Sequence, residues 1–336
     1  MKKTTIRHFI LWTLAFGLCT GVFSCKKDKD SDTTLDSLTG VPSFTVSPYL
    51  LPGDVLELTP ADVKKQDGKS AGIYWSFSYA SSVRDTTRFE NGTGDASITI
   101  TVPDTLNALT LTCVAFAENY YNTVQSQTVA VVHGQDSFSG LGLEDAAVFE
   151  DPRDGRLYPY VVIGDREWFA RNLAYDGGAS YRDAVAMQDV LGQYYAWEDA
   201  MTSCPEGWRL PDAGDWAALA RTAGVDDDGA GVYRGLAGQL MADAYFNDGK
   251  MWEFFPEVVI SNKWLFSAVP GGYGVDADGK HTFYDLNLRA LFWTAEEAEG
   301  DRAYCCHIFV SSPDVAKSAL DKKSLLANVR CVRDAE

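Results

Sequence analysis

Positive charge is scarce in this chain. Its 336 residues include 29 lysines and arginines against 47 aspartates and glutamates, which gives a formal net charge of −18 at pH 7. Nucleic acids and anionic membrane surfaces would repel such a chain, so the composition argues against both as partners. The acidity identifies no ligand, because it serves solubility as well as cation binding.

Familiar catalytic motifs are also absent. The sequence contains no G-x-S-x-G elbow, no H-E-x-x-H pair, no phosphate loop and no dinucleotide fingerprint. Histidine is rare, and His133, His281 and His307 have no partner visible in the sequence. Paired carboxylates for glycoside hydrolysis cannot be recognised in a sequence so rich in acids. We therefore expect a non-enzymatic protein without a cofactor.

The first 24 residues predict a signal peptide. Lys2, Lys3 and Arg7 supply a positive start, and residues 9–23 form an apolar core too short to span a bilayer comfortably. The run VFSC, ending at Cys25, resembles a bacterial lipobox. We expect cleavage before Cys25 and acylation of that cysteine, which would anchor the protein to a membrane. The alternative is an ordinary secretory signal with an incidental cysteine.

Residues 25–40 predict a flexible tether. The segment mixes both signs of charge with serine, threonine and aspartate and has few apolar residues. A charged run directly after a lipidated cysteine also resembles the surface-export signals of Bacteroidetes lipoproteins. We therefore expect a lipid-anchored protein of the outer membrane, displayed at the cell surface.

Residues 41–133 predict an all-β sandwich. Short apolar segments alternate with turn residues such as Asp67-Gly68. Trp75 and Cys113 resemble the central tryptophan and the second cysteine of immunoglobulin-like domains, but the first cysteine is missing. We therefore expect Cys113 to be a buried free thiol. Such domains serve as spacers or as adhesion modules, and we favour a spacer.

Residues 134–156 predict a linker between two domains. Glycine and serine are frequent in its first part, QDSFSGLGLED, as in connections that carry no regular structure. We expect a short hinge here.

The stretch 204–224 predicts a well-defined helix start. Pro211 favours an extended residue before it, Asp212 can cap the new helix, and Asp215 completes a capping box with aspartate in place of glutamate. Trp216 and three further apolar residues then recur at helical spacing, and Gly224 ends the helix.

We expect an antiparallel α+β domain around this helix. It should begin with a hairpin over residues 158–163 and 167–170 and contain a second helix over about 232–243. Three closing strands should follow, near 289–294, 303–311 and 325–333.

Six blocks in this half resemble the Fibrobacter succinogenes major paralogous domain of Bacteroidetes and Fibrobacter surface lipoproteins. They are VVIGDREWFARNL (161–173), LGQYYAWEDA (191–200), CPEGWRLPDAGDW (204–216), LFSAVPGGY (265–273), LFWTAEE (291–297) and NVRCVRD (328–334). The resemblance implies a C-type-lectin-like fold over residues 157–336 and a disulfide between Cys204 and Cys331, but no settled activity. The whole chain thus predicts an immunoglobulin-like sandwich followed by an α+β C-type-lectin-like domain.

Metal sites are poorly supported. Adjacent Cys305 and Cys306 lie in a strand-like run, so we expect one of them to be buried and the other not. Zinc is the alternative, but no cysteine pair has metal-ligand spacing. For calcium, residues 276–279 begin like a calcium loop without the glutamate that closes one, and residues 226–228 are three aspartates typical of a solvated turn. The sugar-coordinating Glu-Pro-Asn and Gln-Pro-Asp triplets are missing.

Aromatic residues in the loop 245–255 are the remaining candidate site. Exposed rings on a rigid scaffold bind sugars or protein partners. The alternative is that these rings fill a second small core. The candidate ligand-binding residues are Tyr245, Trp252, Phe254 and Phe255.

Three functions remain open. The leading hypothesis is a surface-anchored binding or adhesion module for a glycan or protein. The second is a structural subunit of an envelope complex. The third is a hydrolase or a modifying enzyme, because formylglycine-generating enzymes share the C-type-lectin-like fold; its active cysteines would have to be Cys305 and Cys306, which lack that family's spacing.

Overall fold

The computed structural model describes residues 34–79, 82–89, 96–225, 229 and 231–335. The predicted signal peptide, the lipidation site Cys25 and the aspartates at 226–228 lie outside the described residues. Among the residues that the structure describes, no helix is long and apolar enough to cross a bilayer.

The N-terminal half is built from strands. Its main sheet has five strands in the order β2-β9-β7-β4-β5, in which β2 and β9 run parallel and the other neighbours antiparallel. Two short pairs, β3-β6 and β1-β8, complete it. The strands are β1 (Asp36–Ser37), β2 (Tyr49–Leu50), β3 (Val55–Leu58), β4 (Gly72–Tyr79), β5 (Ser82–Phe89), β6 (Ile98–Thr101), β7 (Ala108–Phe116), β8 (Tyr120–Tyr121) and β9 (Thr123–Val131).

A single core lies between the five-stranded sheet and the β3-β6 pair. Trp75 on β4 is fully buried opposite Cys113 on β7, and its indole N–H donates to the Ala96 carbonyl at 2.8 Å. Cys113 is a buried free thiol, as predicted. Leu38, from the end of the predicted tether, is buried in the same core, so the folded part begins before residue 41.

The C-terminal half contains the helices and the remaining strands. Short 3₁₀ helices lie at Gly134–Ser137, Tyr181–Asp183 and Val185–Met187. The α-helices are α1 (Gln188–Leu191), α2 (Trp197–Ser203), α3 (Ala213–Thr222) and α4 (Ala237–Leu240). The strands are β10 (Phe138–Ser139), β11 (Ala147–Glu150), β12 (Leu157–Ile163), β13 (Arg166–Phe169), β14 (Val232–Tyr233), β15 (Tyr245–Phe246), β16 (Gly249–Lys250), β17 (Tyr273–Ala277), β18 (Lys280–Tyr284), β19 (Arg289–Glu297), β20 (Arg302–Phe309), β21 (Val315–Asp321), β22 (Leu325–Leu326) and β23 (Val332–Asp334).

Four sheets organise this half. Their orders are β10-β15-β16, β11-β12-β13-β23, β14-β21-β20-β19 and β18-β17-β22. With the sheets of the N-terminal half, they make a β-rich protein of several sheets with few helices.

The predicted linker carries regular structure. β10 pairs with β15, and β11 forms the edge of the sheet that holds the first hairpin of the C-terminal half. Phe149 on β11 packs against Phe169 and Trp208, at ring distances of 5.8 and 5.6 Å. Residues 134–156 therefore differ from a free hinge, because their apolar side chains pair and pack with the domain that follows.

The helix predicted after Pro211 is present as α3. Asp212 accepts a hydrogen bond from the Asp215 amide at 3.0 Å, and Asp215 accepts one from the Asp212 amide at 2.9 Å, which completes the capping box. Trp216 is fully buried, and Gly224 follows the helix with a φ of +76°.

Two predicted elements need correction, and one strand was not expected. The closing strand expected near residues 325–333 is divided into β22 and β23, which belong to different sheets. The helix expected over residues 232–243 is reduced to α4, because Gly235, with a φ of +75°, separates it from the short strand β14. Strand β21 was not predicted, since its sequence VAKSALD lacks a clear alternation of apolar and polar residues. It pairs with β20 over seven residues and extends the closing sheet.

Candidate functional site

The predicted aromatic loop does not form a joint surface. Trp252 is only 1 % exposed, and its indole N–H donates to the Ala268 carbonyl, so it is a core residue; this corrects the expectation of a ring available to a ligand. Tyr245 is half-buried in β15, between β10 and β16. Phe255 is half-buried against the core, whereas Phe254 is 82 % exposed. Trp252 and Phe255 thus pack in one core cluster, whereas Phe254 faces solvent.

Both adjacent cysteines are buried, which corrects the expectation that one is not. β20 is an inner strand whose two faces are covered by different core clusters, and Cys305 lies in one cluster and Cys306 in the other. Burial raises the pKa of both thiols, so neither is a ready nucleophile at neutral pH. In the described part of the chain, no three His, Cys, Asp or Glu side chains gather to hold a metal ion.

A different set of aromatic residues reaches the surface beside the closing sheet. Tyr273 on β17 and Tyr284 on β18 are cross-strand partners, and their rings stack with centroids 5.5 Å apart and an interplanar angle of 28°. Tyr284 is 46 % exposed, and Tyr273 is half-buried. The hairpin turn at Asp278 and Gly279 sets this register.

Arg289 extends this stack toward the neighbouring sheet. Arg289 is the first residue of β19 and pairs with Phe309 on β20. Its guanidinium carbon lies 5.3 Å from the centre of the Tyr273 ring and 4.9 Å from the centre of the Phe309 ring. An ion pair of 3.1 Å with Asp285 balances its charge. We call Tyr284, Tyr273, Arg289 and Phe309 the aromatic row.

Polar groups border the aromatic row. His307 lies on the same face of β20 as Phe309, and its Nε2 lies 3.1 Å from the Ser318 hydroxyl on β21. Burial, together with the nearby Arg289 cation, lowers the pKa of His307, so its imidazole is neutral at pH 7. Among the described residues, the buried Nδ1 of His307 and Nε of Arg289 have no hydrogen-bond partner.

The aromatic row presents a chemically mixed surface. It offers one exposed ring face, a second ring behind it, and a guanidinium whose charge is already balanced, which suits a ligand with an apolar face and hydroxyl groups. The sequence held a signal for it: the Asp278-Gly279 turn predicts a hairpin that makes Tyr273 and Tyr284 partners. Nothing local to the sequence places Arg289 and Phe309 beside them.

The disulfide between Cys204 and Cys331 is present, with the two Cα atoms 5.8 Å apart. It joins the end of α2 to the approach to β23, where the Arg209 amide also bonds the Val332 carbonyl. The predicted pairing therefore closes a segment of 127 residues around the domain.

Comparison with known proteins identifies the C-terminal half. No curated protein matches the chain. The family model of the Fibrobacter succinogenes major domain matches residues 161–333, just over half of the chain, and the match includes α3, the disulfide and the aromatic row. The chain therefore belongs to the Fibrobacter succinogenes major domain family.

Proposed function

We propose that this protein is a non-enzymatic binding module that recognises an uncharged glycan through the aromatic row. The stacked pair Tyr284 and Tyr273, with one ring 46 % exposed, carries this proposal. A pyranose ring presents apolar C–H groups on one face and hydroxyl groups at its edge. The first suits Tyr284, and the second suits the partly exposed guanidinium of Arg289.

The proposed architecture places a lectin-like head on an immunoglobulin-like spacer. A main sheet and a smaller pair of strands enclose the buried Trp75, which supports the immunoglobulin-like assignment. A domain closed by a disulfide near its end, with an antiparallel sheet and a capped helix, supports the lectin-like assignment.

Lipid at Cys25 would anchor this arrangement to the outer membrane and display the head at the cell surface. The lipobox-like VFSC and the charged residues after it support this address. Mass spectrometry of the native protein should find acyl chains on an N-terminal Cys25, and Cys25→Ala should release the protein into the soluble fraction. An unmodified N-terminus downstream of residue 25 would contradict the anchor.

A glycan array probed with the protein starting at residue 26 tests the glycan site. We expect at least one uncharged glycan to bind, and Tyr284→Ala to weaken that binding about tenfold, equivalent to about 1.4 kcal/mol, through loss of the stacked ring. Tyr121→Ala is the matched control, because Tyr121 is 59 % exposed on β8 in the N-terminal half.

Unchanged binding by Tyr284→Ala would place the glycan elsewhere on the protein. Absence of any glycan ligand, together with a stable protein partner that co-purifies from membranes, would favour the structural subunit of an envelope complex instead.

A further inference from the structure

A cavity of about 160 Å³ lies where the first residues of the C-terminal half meet α1. This volume is roughly that of five waters. Arg171, which follows β13, lies on its inner wall, and Leu157 and Gln135 lie at its exposed edge. We call it the junction cavity. It is separate from the aromatic row, since the two have no lining residue in common.

Arg171 has no carboxylate partner among the described residues. Its guanidinium donates to the backbone carbonyl of Asp189 and lies 5.6 Å from the Phe138 ring, and both partners are neutral. Burial lowers the pKa of Arg171, and the Asp189 carboxylate only partly offsets this effect. The junction cavity is therefore lined by a buried cation that makes no direct ion pair with a described carboxylate.

The carboxylate that acts on Arg171 already has a partner. The Asp189 carboxylate accepts a hydrogen bond of 2.5 Å from Arg156, whose second amino group donates to the Gln188 side chain at 3.1 Å. Arg156 also lies 3.5 Å from the Asp154 carboxylate. Arg156 thus pairs with two carboxylates, whereas Arg171 is an arginine of the wall that forms no ion pair with a described carboxylate.

A second buried guanidinium lies behind the first. A smaller cavity of about 20 Å³ extends to Arg330, which is fully buried. It shares four lining residues with the junction cavity: Arg171, Asn172, Gln188 and Asp189. Arg330 donates only to neutral acceptors, namely the Asn172 side chain at 2.7 Å and the carbonyls of Phe169, Phe266 and Ser267. Burial, followed by repulsion from Arg171, lowers the pKa of Arg330 to about 9. Two cations therefore focus a positive potential here in a chain of net charge −18.

We propose that the junction cavity binds a monocarboxylate, with Arg171 as the group that pairs with it. An arginine fork binds a planar carboxylate through two parallel hydrogen bonds, and one arginine without an ion pair can pair with one negative charge. Phosphate carries about −1.5 to −2 at pH 7 and would meet the Asp189 carboxylate without a second available cation. Leu157, Tyr158 and Ala174 line the same cavity and accept the carbon part of the ligand.

Titration of the protein with simple anions at constant ionic strength tests this site. The probes are propionate for a free aliphatic acid, glucuronate for an acidic sugar, acetyl-glycine for a peptide C-terminus, and phosphate and chloride for comparison. We expect at least one carboxylate to raise the melting temperature in a saturable way and to give a calorimetric binding isotherm, while phosphate and chloride do neither. The carboxylate that binds best identifies the source of the ligand.

Three variants connect the binding to this cavity. Arg171→Gln should weaken carboxylate binding at least tenfold, whereas Arg302→Gln, at an exposed arginine on β20, should leave it unchanged. Gln135→Glu adds a negative charge at the exposed edge without disturbing the core, and it should weaken binding several-fold even if Arg171→Gln fails to fold.

Two results would overturn the proposal. In the first, no carboxylate raises the melting temperature more than chloride does. In the second, Gln135→Glu binds carboxylates with the same affinity as the unchanged protein. The glycan proposal is tested separately, since Tyr284→Ala should leave carboxylate binding intact.

Discussion

Asp215 is almost fully buried, yet it is held as an anion. Burial opposes its ionisation, but hydrogen bonds from Arg209, from the Asp212 amide and from Arg166 outweigh that effect and lower its pKa below the ordinary value. One carboxylate therefore caps α3, pairs with two arginines and connects the helix to β13, from which Arg166 extends.

Replacing this carboxylate should destabilise the domain. We expect Asp215→Asn to lower the free energy of unfolding by about 2 to 3 kcal/mol at pH 7. This loss is smaller than for breaking a fully buried ion pair, because both arginines are partly exposed. Asp212→Ala, which removes only the cap, should cost about 1 kcal/mol. Urea denaturation followed by tryptophan fluorescence measures both changes.

The pH dependence of the same variant has a defined sign. Because the folded-state pKa of Asp215 is lowered, its stabilisation is complete above the unfolded-state pKa of about 4 and is lost as the pH falls through the lower folded value. The difference between the unchanged protein and Asp215→Asn should therefore shrink progressively as the pH falls below about 4. A constant difference across this range would mean that Asp215 stabilises by packing and not by charge.

At the scale of elements, the Cys204–Cys331 disulfide connects the region before α3 to the last strand. Its sequence separation is 127 residues, and the chain-entropy model gives about 4 to 5 kcal/mol for closing a loop of this length. We expect reduction, or the double variant Cys204→Ser with Cys331→Ser, to lower stability by up to this amount.

Thiol labelling of the protein starting at residue 26 measures the pairing directly. Cys113, Cys305 and Cys306 are buried, and burial raises the pKa of each, so the native protein should react with no alkylating reagent. Denaturant without reductant should expose three thiols, and reductant should expose two more. In Cys113→Ala, denaturant without reductant should expose two thiols instead of three, and reductant should still expose two more. Labelling of five thiols before reduction would contradict the disulfide.

At the scale of the whole molecule, the two halves share a packed interface. Tyr49 and Val132 from the N-terminal half join a buried cluster with Tyr181 and Tyr194, and the rings of Tyr49 and Tyr181 meet edge to face at 5.9 Å. Asn247 adds hydrogen bonds across the interface, from its amide to the carbonyls of Asn107 at 3.2 Å and Val131 at 3.0 Å. Apolar contacts and hydrogen bonds therefore both connect the two halves.

This interface should make the halves unfold together. Differential scanning calorimetry of the unchanged protein should show a single transition. Asn247→Asp places a carboxylate against two carbonyl oxygens and should split or broaden that transition, with a loss of about 1 to 3 kcal/mol of coupling. Asn119→Asp is the control, because Asn119 has a similar positive φ of 65° but is exposed. Two transitions in the unchanged protein would show that the halves are independent.

The sequence by itself determined the local features of this protein. The caps of α3 and the helical spacing that buries Trp216 depend on neighbours along the chain, so the residues alone predicted them. The missing partner cysteine likewise predicted that Cys113 is a buried free thiol. The family blocks likewise predicted the disulfide that the structure contains.

The tertiary structure decided which side chains are available to ligands. Trp252 is buried and Tyr284 is exposed, although both are aromatic residues. Cys305 and Cys306 point to opposite faces of their strand, yet both lie under core clusters. The aromatic row and the junction cavity each bring together residues that are distant in the sequence. The segment 134–156 contributes β10 and β11 to two sheets whose other strands follow later in the chain. Burial and proximity of this kind depend on long-range pairing and packing, which no local pattern encodes.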